Sequence, residues 1–378
     1  MAAIAVAAGS CADFAGLRVG GQDGGEPDAS EAGCPLTHPP RLPLLGTVGG
    51  SVDFDAVVWH VDLGDALPDA GSPAYQSIGF DLDDACTTPD AGRSCKEPAW
   101  AATINHADGP GGIDNSVGAD LFQIHKVAAG SASALVNSSN DTGGLQLAIR
   151  VRGYNGLGVD AQVDVSYYGV VIHFDGDAAP RAPRWDGTDA WDVYPPWLAP
   201  PEAGVTANIE APAFEDKHAF VTNVGIGGDG LATGLLVSRV AELLVGSTPP
   251  FRLSQVMMTA EIVKSGGSWT LRNGTLAGRM RIDAFLGALA FAPDSATGSL
   301  FCRNAGSYAL AKALTCAYAD ISYSGPDDGS QPCDGASWGW RFLDAVPASL
   351  AGVAATFPAP DAGPCPPGQS PTDDHCGP

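Results

Sequence analysis

What the chain lacks narrows it first. No stretch reaches the roughly 18 apolar residues that a membrane-crossing helix needs, so a lipid is the one expected route of membrane attachment. Basic residues are few: 19 Lys and Arg stand against 43 Asp and Glu, a formal charge of -24. Such a field repels a phosphate backbone and attracts divalent cations, which argues against nucleic acid as a partner. Only eight of the acidic residues are Glu, and Lys is also scarce, so the residues that fill exposed helix faces are missing. No two cysteines are spaced as C-x-x-C, which removes the usual zinc-ribbon and thioredoxin-like readings. H-E-x-x-H and Walker loops are absent, and no internal repeat is visible.

What is present points to turns and an oxidising compartment. The 49 Gly and 30 Pro punctuate the chain too often for long helices. Asp dominates the acids, and its short side chain suits both turns and tight oxygen-donor loops. Nine cysteines stand at 11, 34, 86, 95, 302, 316, 333, 365 and 376. Cys11 closes "MAAIAVAAGSC", a short apolar run ending on small residues that resembles a lipoprotein lipobox, and is the expected lipidation site. The run lacks a basic n-region, which a misplaced start codon would explain. The other eight suit four disulfides. Cys86 and Cys95 bracket a short loop and are expected to pair. Cys302 with Cys316 and Cys365 with Cys376 follow by proximity, and Cys34 with Cys333 by elimination among 105 pairings.

The organisation reads as a signal-like segment at 1–10, a flexible Gly/Pro/acid-rich tether at 11–46, a β domain at 47–355 and a Pro-rich tail at 356–378. Within the domain, period-two alternation recurs: Leu145, Leu147, Ile149 and Val151 alternate with Gln146, Ala148, Arg150 and Arg152. Asn273-Gly274 between apolar runs predicts a two-residue hairpin turn. Helices are expected near Asp114–Ser116, after Asp283 and over "RNAGSYALAKALTCAYAD". The expectation is a mainly β chain: an antiparallel, jelly-roll-like β-sandwich with a few short helices, stapled by disulfides.

"GFDLDDAC" crowds Asp81, Asp83 and Asp84 ahead of Cys86, and "HADGPGGIDNSVGADLF" brings Asp108, Asp114, Asn115 and Asp120 among permissive glycines. If the two groups converge, carboxylates about 5 Å apart repel by roughly 3 kcal/mol per pair at an effective dielectric near 20. Calcium, held by Asp81, Asp83, Asp84, Asp114 and Asn115, would turn that cost into a gain. The spacing is not an EF-hand, because D-x-D-x-D-G fails at Ala85 and Cys86, and a solvated acidic turn is the bland alternative.

"GFDLDDAC", "DGPGGIDNSVG" and "RNGTLAGRM" resemble segments of a family of myxobacterial secreted lipoproteins with no established activity, over about residues 50 to 345. The resemblance implies an extracytoplasmic location and a domain extent, and nothing on chemistry.

"PRWDGTDAWDVYPPWLAPP" interleaves Trp185, Trp191, Tyr194 and Trp197 with Asp186 and Asp189, the ingredients of a sugar-stacking platform. The competing reading is a long connection plugged onto the sheet by its own tryptophans. "GIGGDG" at 225–230 reads as a glycine-rich turn, since no βαβ pattern surrounds it. His60, His173 and His218 fall in or beside strands, where a structural imidazole is the default. Function is therefore expected to be that of an exported, lipid-anchored, calcium-stabilised binding or structural protein of the outer membrane or cell surface, with glycan or envelope components as partners. A polysaccharide hydrolase using two carboxylates, among them Glu210, Glu215 or Glu261, is the alternative.

Overall fold

In the computed structural model, nine strands among the described residues take up the alternating segments. They are β1 (Val52–Asp62), β2 (Gln146–Tyr154), β3 (Asp160–Ile172), β4 (Ala190–Val193), β5 (Phe214–Thr222), β6 (Ala232–Val245), β7 (Phe251–Ser265), β8 (Ser268–Arg281) and β9 (Gly335–Val353). Among the described residues three α-helices accompany them, α1 (Ala132–Asp141), α2 (Ile282–Leu289) and α3 (Gly306–Ala317), with short helical turns at Ala74–Ser77, Pro195–Trp197 and, where a helix was expected near Asp114–Ser116, Val117–Leu121. The structure describes residues 36–42, 48–65, 74–88, 92–98, 107–121, 131–173, 181–201, 206–223, 232–245, 250–289, 302–303, 306–354, 365–366, 368–370 and 374–377. The signal-like segment with Cys11, the 225–230 glycines and Cys34 lie outside them.

The sheet closes on itself, which overturns the expected sandwich. Each strand pairs antiparallel with the next in the circuit β1-β2-β3-β5-β6-β7-β8-β9, and β9 returns to β1 through pairs such as Val57↔Val346. β5 joins β3 directly, with Phe214 opposite Tyr167. The ninth strand, β4, is an addition that runs antiparallel to β3 and parallel to β9. A sandwich and a closed barrel share the same local alternation; closure removes the sheet edges and depends on pairing the first strand with the last.

The barrel interior is filled by side chains. Ile149, Val151, Val165, Tyr167, Leu276, Met258 and Phe342 are all fully buried. Tyr167 of β3 donates its hydroxyl to Met258 Sδ of β7 at 3.7 Å, a contact that spans the interior. Two interior glycines admit rings: a Cβ on Gly274 would fall 2.0 Å from Phe342, and one on Gly169 2.6 Å from Trp197. Asn273 has φ +48 within β8 instead of in a hairpin, because the ladder shifts register there between Thr259 and Glu261. The tight turn joining β7 to β8 is at Gly266 and Gly267, whose φ of +58 and +92 suit a primed turn.

The disulfides also differ from expectation. Cys95 bonds Cys333, Cys302 bonds Cys365 and Cys316 bonds Cys376, across 238, 63 and 60 residues with Cα atoms 5.1, 5.6 and 5.5 Å apart. Cys86 is also disulfide-bonded. Neighbours in sequence were the wrong guide, since each bond ties a distant segment to the barrel's surroundings. The C-terminal tail is thus held at two points, and Asp374 adds a contact to Lys312 of α3 at 2.9 Å.

Candidate metal centre

Residues 78–82, 115–116 and 320–327 dock on β8 and β9, through contacts such as Arg279 with Leu82 O and Asp327 and Ser116 N with Ser337 Oγ. Phe80 and Leu82 pack on Ala277, Ile321 and Met257, leaving the alternate positions Asp81 and Asp83 to meet Asp114. Gly339 lets these residues approach: a Cβ there would sit 2.4 Å from the Ile78 carbonyl. Asn115 brackets the contact, its Oδ1 accepting from Gly339 N at 2.9 Å and its Nδ2 donating to Ile78 O at 2.9 Å. Arg279 of β8, 1% exposed, forks onto Asp327 and donates to Ser322 O at 2.8 Å.

Asp81, Asp83 and Asp114 are all buried, and each offers a carboxylate oxygen within 4.8 Å of the others. At that spacing three ionised carboxylates cost on the order of 3 kcal/mol per pair at an effective dielectric near 20. Part of their bonding capacity is satisfied locally. Asp114 Oδ2 accepts from Leu82 N at 2.7 Å, Asp83 Oδ1 from Ala85 N at 3.0 Å, and Asp83 Oδ2 from the Ser94 hydroxyl. Asp81 Oδ2 has no hydrogen-bond partner although it is sealed from solvent. Gly112, at φ +71, lies against it: a Cβ there would be 2.9 Å from Ala85 O and 3.3 Å from Asp81 Oδ2.

Burial and mutual repulsion both disfavour charge here. Burial, then the Asp83 charge, pushes Asp81 up to about 7. Burial raises Asp83 in spite of the Ser94 hydroxyl, and raises Asp114 well above the usual carboxylate range, with Asp83, Asp108 and Asp320 adding to it. Asp108, half-buried, is raised to about 8 by burial and by the Asp83 and Asp320 charges. Groups so shifted by desolvation and neighbouring like charge mark a position where a cation would be welcome. The donors are all oxygen, which suits a hard ion such as calcium.

Two of the expected ligands fall outside this core. Asp84 is solvent-exposed with φ +57, and its carboxylate lies beside His38. Asn115 is occupied as the bracket just described. His38 was missed, and Asp108 was read as part of the second acidic group without being counted among the ligands. His38 lay in the segment read as tether, but Thr37 pairs its N–H with Gly111 O at 2.6 Å and its carbonyl with Asp81 N at 2.8 Å.

The aromatic loop is packed inward. Trp191 and Trp197 are 0% and 1% exposed, and Trp185 and Tyr194 are also buried. Trp185 stacks on Trp59 with centroids 5.3 Å apart, and Asp189 accepts from Arg184 N and Trp185 N at 2.7 and 3.0 Å. These rings offer no open face to a pyranose, and Asp186 is spent on Thr188 at 3.0 Å. The carboxylates named for a hydrolase are ion-paired: Glu210 with Arg150, Glu215 with Lys217 and Glu261 with Arg272, at 3.1, 2.9 and 2.7 Å. His60 and His173 pair with Asp344 and Asp192 at 3.1 and 2.8 Å. Two hollows among the described residues measure about 10 and 20 Å³, room for about one water apiece. The larger is lined by Asp108, Asn115, Ser116 and Asp320, beside the cluster.

Sequence reasoning, which found no nucleophile motif, overlooked that Gly335 to Gly339 spells G-x-S-x-G, the spacing of a nucleophile elbow. Here it is extended strand, and Ser337, 0% exposed, donates its hydroxyl to Asp320 and accepts from Ser116 N at 2.8 Å. It is a structural serine. Compared with protein-family models, curated proteins and solved structures, the chain matches none.

Proposed function

We propose that this chain is an exported, lipid-anchored structural module of the cell envelope, with a calcium ion clamping the Asp81–Asp83 and Asp114 loops against the barrel. The observation that carries the reading is Asp81 Oδ2, a buried carboxylate oxygen without a hydrogen-bond partner, beside two other buried carboxylates. A divalent ion supplies the missing partner and removes the repulsion among the three acids. Disulfides that tie segments 60 to 238 residues apart fit an oxidising compartment, where calcium is also plentiful. The side chains that fill the barrel, and the ion pairs that occupy Glu210, Glu215 and Glu261, favour a structural role over catalysis.

Melting of the chelator-stripped full chain with and without calcium tests the clamp. Calcium at 100 times its dissociation constant is expected to add about 2.7 kcal/mol of stability, and an unchanged melting temperature sinks the reading. Anchorage is tested separately, by fatty-acid labelling of cells that is expected to disappear in Cys11→Ser.

A further inference from the structure

We infer that the carboxylate cluster has a second cation position on its outer side, formed by His38, Asp81 and Asp84, that takes a borderline divalent ion of the zinc class. His38 Nε2 lies 3.5 Å from Asp84 Oδ1 and 3.8 Å from Asp81 Oδ2. These gaps exceed a hydrogen bond, which would draw the ring nitrogen to about 3 Å. They approach the roughly 3.3 Å between ligand atoms of a tetrahedral ion with bonds of about 2.0–2.1 Å. The ligand atoms of all three residues lie within 4.8 Å of one another.

The histidine is placed by backbone, since Thr37 bonds both Gly111 and Asp81. Asp81 Oδ2, sealed and without a hydrogen-bond partner, faces the imidazole. His60 and His173 sit at direct hydrogen-bond distance from one carboxylate each, whereas His38 stands between two at longer range. An imidazole donor shifts preference from calcium toward zinc-like ions, while the inner set of three carboxylates keeps its preference for a hard ion. His38 and Asp84 are both partly or fully exposed, so the position opens to water, which would complete four-coordination. The inference shares Asp81 with the calcium clamp but does not require calcium to bind.

The test is a zinc titration of the full, disulfide-intact chain in excess calcium, repeated with cobalt to read the visible bands of a four-coordinate ion. One equivalent should bind to wild type, at least tenfold more weakly to His38→Ala, and equally well to His60→Ala. The calcium-induced melting shift of His38→Ala should match wild type. Zinc binding that is unchanged in His38→Ala, retained in Asp81→Asn, or not saturable in wild type overturns the inference. A wild type that shows no calcium shift but binds zinc through His38 defeats the clamp alone.

Discussion

Asp81 is buried among charges of its own sign, and its replacement separates two effects of opposite direction. In Asp81→Asn one of three crowded carboxylates becomes neutral, so without calcium the variant should melt at or above wild type. With calcium it should melt below wild type, because the ion has lost a ligand. Parallel melting curves in both conditions would contradict this. Asp374 provides the pH dependence. Burial works against its ionisation, but the Tyr308 hydroxyl and Lys312 outweigh it and hold the carboxyl down at about 2, below its usual 3.8. A depressed folded-state value contributes stability that is full above pH 3.8 and lost as pH falls toward 2. That contribution is on the order of 2 kcal/mol or less, and Asp374→Asn should flatten the acid limb of stability over this window in urea melts. Gly274 makes a steric prediction: Gly274→Ala drives a methyl into the Phe342 ring and should cost about 1–3 kcal/mol, read as a lower midpoint in denaturant.

Helix α1 shows how an element can be shaped by polar groups. Val52 to Val57 of β1 pair with β2, but the strand continues to Asp62, and beyond that pairing α1 takes over. Ser133 Oγ accepts from Leu63 N at 3.0 Å, Asn137 accepts from Val61 N and donates to Val61 O at 2.8 and 2.9 Å, and Asn140 donates to Trp59 O at 2.7 Å. Asn137 therefore acts as a substitute strand neighbour, and Asn137→Ala should cost about 1–3 kcal/mol by stranding both backbone groups. Retained stability would show that water replaces the amide. This helix was not legible in "SASALVNSSN", whose Ser and Asn disfavour helix interiors; its stability comes from contacts that local sequence does not encode. Asn273-Gly274 misled for the converse reason, since left-handed backbone serves a bulge as readily as a turn. The apolar runs that became α2 and α3, and the alternation of β2, were legible because burial imposes their period.

At the level of the whole molecule, eight strands join in a meander whose last strand meets its first. Alternation announced the strands, but the choice between two stacked sheets and one closed sheet depends on a single long-range pairing, β1 with β9, and no local pattern marks it. The cysteines failed for the same reason, as distance along the chain says little about distance across it. Cys95–Cys333 spans 238 residues and backs a backbone link in which Lys96 N donates to Gln331 O at 2.7 Å. Replacing both cysteines by Ser should lower stability by roughly 2–5 kcal/mol while leaving the barrel's β signature in circular dichroism intact. Of the candidate site, the crowding of Asp81, Asp83 and Asp114 could be read in sequence, whereas the approach of His38 could not, because a Pro-flanked segment gives no sign of where it docks. The most direct measurement is a calorimetric calcium titration of the stripped full chain beside Asp81→Asn. One saturable equivalent in wild type and none in the variant is the predicted result; heats that never saturate, or equal binding by both, would contradict the clamp.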